Sequence, residues 1–489
     1  MEKIKYNSKS VVIFFILMTV FISCSDDFVD VASEDENSED FFNNEEDYQN
    51  ALIGAYDLLQ STYINVMLGE IASDNTLAGG ESATDVPGIQ EIDDMMHTPV
   101  NAQLRDIWSW MYAGVNRANY IMEFQDKTDF AGKEGVIAQT RFLRAYYYFE
   151  LVKWFGDVPL AIDRRILFGE ETGIDRAPKE DVYALIEEDL EFAADNLPVT
   201  QPQTGRITQG AARALLGKVY LYQDKFTEAA TVLDQVIAGP YDLVTDYNSI
   251  FEQIGENNIE SVFEVQYTDE EGAGFGCLQC SEGNVAVGFN GIRNYSGPLF
   301  DSGFSFNVPT QEVVDTFEAG DIRLDVAILD IEAWATAQGA TFSTGFEHTG
   351  YFNRKYIARQ GDLNTGDANL TNPNNYRAIR FADVLLMAAE AHNRKSPSND
   401  GQALIYLNRV RTRAQLLDVT ATGSALTDAI YQERRVELVG EGHHFFDLVR
   451  TGRAAAEIDG FVTGKHELFP IPLIEIQLAG NRWEQNPGY

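Results

Sequence analysis

"ITQGAARALLGKVYLYQDKFTEAATVLDQVIAG" occupies residues 207–239. Ala212, Ala214 and Gly217 cluster in its first half, and Ala229 and Ala230 stand in its second, across the turn "QDKF". Small side chains at helical spacing let two helix backbones approach closely, so the stretch predicts a tightly packed helix pair.

"FADVLLMAAEAHNRKSPSNDGQALIYLNRVRTRA", residues 381–414, repeats the design with "KSPSNDG" as its connection. Both stretches resemble tetratricopeptide units. They are divergent and scattered, so no regular solenoid is expected, only helix pairs forming a scaffold for binding.

The rest of the first half is also helical. Ser38 is a plausible N-cap for a short turn, and a helix from about Glu45 carries Tyr48, Leu52, Ala55, Tyr56 and Leu59 on one stripe. A second helix places Ile107, Trp108, Met111, Val115, Ala118 and Met122 at helical spacing. "IAQTRFLRAYYYFELVKWFGDVPL" is a third, ended by Gly156 and kept from resuming by Pro159. "DVYALIEEDLEFAADNLP" is a fourth, closed by Pro198. A polar loop from about Ser73 to Gln103 separates the first two helices.

From about Asn257 the texture changes to Gly, Asn and aromatic residues, with short β runs such as "SVFEVQY". The expected fold is all-α, mainly helical, with an irregular loop-rich region carrying short β segments. One domain spans 41–489, with a helical scaffold at about 41–256 and 375–489 and a variable region at about 257–374. Long loops on a rigid scaffold are where binding residues concentrate.

The 489-residue chain carries a net charge of −40. So negative a surface repels phosphate backbones, which argues against nucleic-acid binding and fits a salty medium. Its 30 Phe, 22 Tyr and 5 Trp indicate a folded body. Of three cysteines, Cys277 and Cys280 form "GCLQC" in a Gly-rich loop. No second CxxC or HxxxH completes a zinc site, and the motif opens no helix as a redox CxxC would. A small disulfide or a pair of thiols is the expectation.

Val11 to Ile22 is a twelve-residue apolar block behind Lys3, Lys5 and Lys9. As a helix it would reach roughly 18 Å, short of the ~30 Å hydrocarbon core, so it reads as a signal peptide over residues 1–23. Ser23-Cys24 resembles a bacterial lipoprotein box, imperfect at Phe21. Cys24 is then the lipidation site, and residues 24–40 are a flexible acidic tether whose Ser25-Asp26-Asp27 start resembles a surface-export signal.

Six segments, in order, resemble the SusD/RagB family of outer-membrane lipoproteins: "RFLRAYYYFELVKWFGDVPL", the residue 207–239 pair, "IRFADVLLMAAEAHN", "ALIYLNRVRTRA", "ERRVELVGEGHHFFDLVRTGRA" and "LFPIPLIEIQLAGNRWEQNPGY". His444 departs from the family, which often has Arg there. The resemblance implies a non-enzymatic glycan-binding protein without cofactor or metal. It also implies a surface-exposed, lipid-anchored place in the outer membrane, as a lid on a SusC-like TonB-dependent transporter. A peptide-capturing lid and an anchored glycoside hydrolase are the alternatives.

Glu441, His443, His444 and Asp447 invite a metal or acid–base reading, but adjacent His residues point about 100° apart on a helix and HExxH spacing is absent. Ion pairs and helix packing, with Arg434 and Glu437 paired at i,i+3, are expected instead. Sugar rings stack on flat aromatic faces while polar groups bind their hydroxyls. Trp334 is the leading stacking candidate, then Tyr295 and Tyr351. Trp108, Trp110 and Trp154 read as core and Trp483 as structural. Asp74 and Asn75 are hydrogen-bonding candidates, although Asp74 can instead cap a turn; Arg293, Asn290 and His97 follow. With few cations in these loops, a neutral glycan is expected, such as the β-glucan laminarin, unless Arg293, Arg323 and Arg354 build a basic groove.

Overall fold

A computed structural model describes residues 41–167 and 169–489. Ser38, the signal segment, Cys24 and the tether lie outside the described residues.

The helical expectation is met. Helix α1 (Glu45–Asp57) is capped by Asn44, whose side chain accepts from the Asp47 N–H, and it buries Tyr48, Leu52 and Ala55. Helix α2 (Tyr63–Ile71) follows, then α3 (Ala102–Glu123), which buries Ile107, Trp108, Met111, Val115, Ala118 and Met122 on its inner face. Helix α4 (Lys133–Phe155) is buried almost all round and stops at Gly156. Helix α5 (Lys179–Asn196) completes the first layer, with α4 packed between α3 and α5.

The opening stretch forms α6 (Gln209–Leu221) and α7 (Phe226–Ile237). Gly217 explains their closeness, because a Cβ there would sit 2.5 Å from the Leu233 side chain. After the loop-rich region, α8 (Phe381–Arg394) and α9 (Asp400–Arg413) form the second pair, and α8 packs on α7. Helices α10 (Ser424–Glu437) and α11 (His444–Arg450) close the scaffold. One apolar core runs through all of it, from Phe42 to Trp483.

Two local expectations need correction. The polar loop 73–103 contains a short helix, Pro87–Asp93, with Pro at its start and Ile89 and Ile92 buried. Arg434 does not pair with Glu437: it reaches Asp383 at 2.7 Å and Asp447 at 3.1 Å, while Glu437 meets Arg323 and Arg380 at 2.9 Å each. Both side chains are buried, so partners on other segments replace the surface i,i+3 geometry.

The loop-rich region is tied together by short strands. β1 (Thr76–Leu77) pairs antiparallel with β5 (Val308–Pro309), and β2 (Ser261–Val265) pairs antiparallel with β8 (Tyr376–Arg380). β3 (Ile292–Arg293) and β4 (Ser302–Gly303) are parallel, and β6 (Ile328–Asp330) pairs antiparallel with β7 (Tyr351–Asn353). A separate small core forms beneath, from Ile292, Tyr295, Phe300, Val308, Leu329, Ile331, Phe352 and Ile357. Of the two states left open for Cys277 and Cys280, the disulfide is the one present.

Candidate functional site

The β1–β5 and β3–β4 pairings bring three loops to one rim: residues 78–86, 291–306 and 340–348. Gly80 donates its N–H to the Ser305 carbonyl at 2.8 Å and accepts from the Phe346 N–H at 2.8 Å. Its φ of 100° and a virtual Cβ 2.9 Å from the Phe306 ring leave room only for glycine. Ser343 N–H donates to the Arg293 carbonyl at 2.9 Å, and the Asn294 amide donates to Ser343 Oγ at 3.2 Å. At the root of the first loop, Asp93 accepts from the Ala78 N–H at 2.8 Å. Burial pushes the Asp93 carboxyl up to about 7, against the pull of that N–H.

Arg293 stands at the rim. Its Nη2 donates to the Phe304 carbonyl at 2.8 Å and to Asp85 at 3.4 Å, and its Nη1 lies 3.7 Å from Glu81. Trp334 is half-buried on the helix Ile331–Gln338, with its ring centroid 5.1 Å from that of Phe300. Its Nε1 donates to Tyr295 Oη at 2.9 Å, and that hydroxyl donates to the Pro298 carbonyl at 2.8 Å. Tyr295 therefore supports Trp334: its hydroxyl is engaged twice and its ring is buried.

The other sequence candidates separate from this rim. Tyr351 and Phe352 are neighbours in β7 and face opposite ways, so Phe352 joins the small core with Trp334 while Tyr351 packs beside Val313 and Val439. The Tyr351 hydroxyl donates to Gln311 at 2.9 Å. Asn75, Asn290 and His97 are only 0%, 3% and 2% exposed, which removes them as surface contacts. Asn75 donates to Glu70 and accepts from Arg435, and Asn290 donates to the Tyr356 carbonyl. His97 lies between Phe469 and Tyr489, its Nε2 2.7 Å from the Tyr489 hydroxyl. Burial, with the nearby His466 and Lys465, pushes it down to about 3.

Asp74 is held in a structural knot by Arg435 at 2.6 Å and by His444 Nε2 at 2.9 Å. Burial raises its carboxyl, but the His444 hydrogen bond and the charges of His444 and Arg435 leave it below the usual range. Asp74, His444 and Glu457 converge closely enough to hold a metal. Arg435 and Arg453, which pair with Asp74 and Glu457, already balance the two carboxylates, so the set does not fit a cation.

The sequence reading passed over Glu81, Asp85, Asn294, Phe304 and Ser343. Each lies in a loop whose partner is distant in sequence. The legible signal was compositional, the recurrence of Gly, Asn and Ser around Arg293.

The SusD family pattern matches residues 257–489, and a second, described as starch-binding associating with outer membrane, matches residues 27–221. A solved laminarin binding SusD-like protein is 36% identical, covers 92% of this chain and 100% of its own, and superposes with a TM-score of 0.84. This chain belongs to the SusD family. As a SusD-like protein it also resembles surface glycan-binding protein A from Bacteroides thetaiotaomicron, solved in complex with laminarihexaose. That structure is 28% identical, with a TM-score of 0.79 over 90% of this chain and 99% of the other. SusD-like protein P2 of Formosa agariphila is 28% identical over 97% of this chain and 99% of its own length.

Proposed function

We propose that this protein captures a neutral oligosaccharide at the rim around Arg293 and Trp334, without cleaving it, and passes it to a SusC-like TonB-dependent transporter. The observation that carries the reading is the chemistry of the rim. Trp334, tied through Tyr295 to the loop that carries Arg293, offers an aromatic face, and the guanidinium of Arg293 faces two carboxylates, Asp85 and Glu81. Among the described residues, Arg293, Arg323 and Arg354 do not build the basic groove that a polyuronate would need. Arg323 is buried against Asp321, Glu433 and Glu437, and Arg354 donates to the Asp325 carbonyl.

Laminarin, a β-glucan, is the ligand of first choice, in line with the similar laminarin-binding protein and the similar protein solved with laminarihexaose. Trp334 supplies the stacking face and Tyr295 holds it in place. Trp334→Ala is expected to weaken laminarin binding by about 1–3 kcal/mol, as for a stacking aromatic at a hot spot. Affinity electrophoresis in gels containing laminarin or alginate tests both points: preference for alginate rejects the neutral-glycan reading, and any shortening of laminarihexaose on incubation rejects the binding-only one.

The same proposal places residues 1–23 as a removed signal, Cys24 as the lipid anchor, residues 24–40 as a tether, and 41–489 as one surface-exposed domain. Cys24→Ala is expected to release the protein from membranes in cells lacking the transporter.

A further inference from the structure

The "GCLQC" loop has no part in the scaffold, yet it is firmly built. The Phe275 N–H donates to Asp367 at 3.0 Å, and the Asp367 N–H donates to the Ala273 carbonyl at 2.8 Å. The Cys277 N–H turns back to the Gly274 carbonyl at 3.1 Å, the Cys277–Cys280 disulfide closes the turn, and Leu278 packs on the main core. Ser281 Oγ then donates to the Leu370 carbonyl at 3.0 Å.

What this pinned backbone presents is a phenyl ring. Phe275 is 57% exposed, and it is the one exposed aromatic side chain among the described residues of a chain rich in aromatics. A large apolar ring held in water by a stapled backbone favours a partner that covers it. The ring is not isolated. Its centroid lies 5.9 Å from that of Phe304, which lies 5.6 Å from Phe289, and Phe289 lies 5.5 Å from Phe306. The Phe304 carbonyl is the group that takes the Arg293 Nη2 hydrogen bond. Phe275 therefore stands one residue away from the charged centre of the rim.

We infer that Phe275, held out by the disulfide loop, is a second stacking platform that binds the apolar C–H face of a hexose ring in the neutral oligosaccharide. The inference rests on the proposed glycan-binding reading and extends that site beyond Trp334. Asp85, Glu81 and Arg293 lie where they can bond hydroxyls of the covered sugar or its neighbour. The ring faces solvent, so its loss leaves the core intact, and the thermal midpoint of the variant is expected to match that of the wild type.

The test is calorimetric titration of the full-length protein in detergent with laminarihexaose and with laminarin. Phe275→Ala is expected to weaken binding about tenfold or more, and Phe275→Trp, which keeps a flat face, to bind within about threefold of wild type. If Phe275→Ala binds within about twofold of wild type while Trp334→Ala loses affinity, the platform is overturned and the glycan-binding reading stands. If the wild-type protein binds neither laminarihexaose nor laminarin nor another neutral glycan, the reading itself fails and the platform falls with it.

Discussion

Glu437 shows how single residues hold this protein together. Its carboxylate meets Arg323 and Arg380, and Arg380 also binds Glu260 and Glu441, every one of these groups at most 1% exposed at the side chain. Burial alone would raise Glu437, but Arg413, Arg380 and Arg323 hold it far below the usual carboxylate range. Removing its charge takes one carboxylate from between three buried guanidiniums and leaves that cluster with excess positive charge, so Glu437→Leu is expected to cost about 3–5 kcal/mol in urea unfolding. Acid acts in two windows. Burial and Lys218 push His443 down to about 3 from 6.5, so the unfolded chain takes up a proton there first and stability falls as pH drops from 6.5 toward 3. Asp383 and Asp447 are held below their ordinary 3.8 by charged partners that outweigh burial, so their contribution is present above that value and is lost as pH falls further. His443→Gln should therefore flatten the stability profile between pH 6 and 4 and leave the steeper loss below it; an unchanged slope in that upper window would refute the assignment. None of this was legible as a pairing. The i,i+3 spacing of Arg434 and Glu437 is informative on an exposed helix face, and here partners dozens of residues away in sequence decide.

At the scale of elements, the helices were legible and the loops were not. Apolar spacing located α1 and α3 because each buries a stripe against another helix, small residues located both tetratricopeptide-like pairs, and the stop at Gly156 bounded α4, which is buried almost all round. Gly217 is the point where that logic is sharpest: Gly217→Val drives a side chain into Leu233, so a loss of about 1–3 kcal/mol is expected by chemical unfolding with the fold retained. The Pro87–Asp93 helix was hidden by its polar setting, although Pro87 is a helix-start residue and Ile89 and Ile92 share a face. Trp334 could be picked out by its place in the variable region, but its support by Tyr295 joins residues 39 apart and no local rule reveals it. The spacing of "GCLQC" left a disulfide and a pair of thiols open, and the folded chain closes the bond and brings Phe304 and Asp367 beside the loop. Reducing that bond loosens a surface turn that touches the core through Leu278. Laminarin binding is thus expected to weaken severalfold in dithiothreitol with the thermal midpoint held, and the Cys277→Ser/Cys280→Ser variant should weaken equally and be insensitive to the reductant.

For the whole molecule, the net charge of −40 lies mainly on the outside, because the buried cations are matched by buried carboxylates. Arg144, Arg323, Arg377 and Arg380 are among the largest fully buried side chains, and Lys355 is buried with them, so part of the positive charge balances carboxylates inside the scaffold. The surface left over is one that repels polyanions at long range, and the rim around Arg293 adds no local exception. A neutral glucan neither gains nor loses from that field. Its binding depends on ring stacking and on short hydrogen bonds, which salt screens little because the Debye length, about 10 Å at 0.1 M, already exceeds their reach. Laminarin affinity is therefore expected to change less than about twofold between roughly 0.02 M and 0.5 M NaCl, well inside the range that screens long-range charge. Alginate should remain unbound at the low end, where repulsion is strongest. The opposite pattern is equally definite. If laminarin binding collapsed with added salt, or alginate bound at low salt and was released as salt was raised, the ligand would be engaging charge and the neutral-glycan assignment of the rim would be wrong.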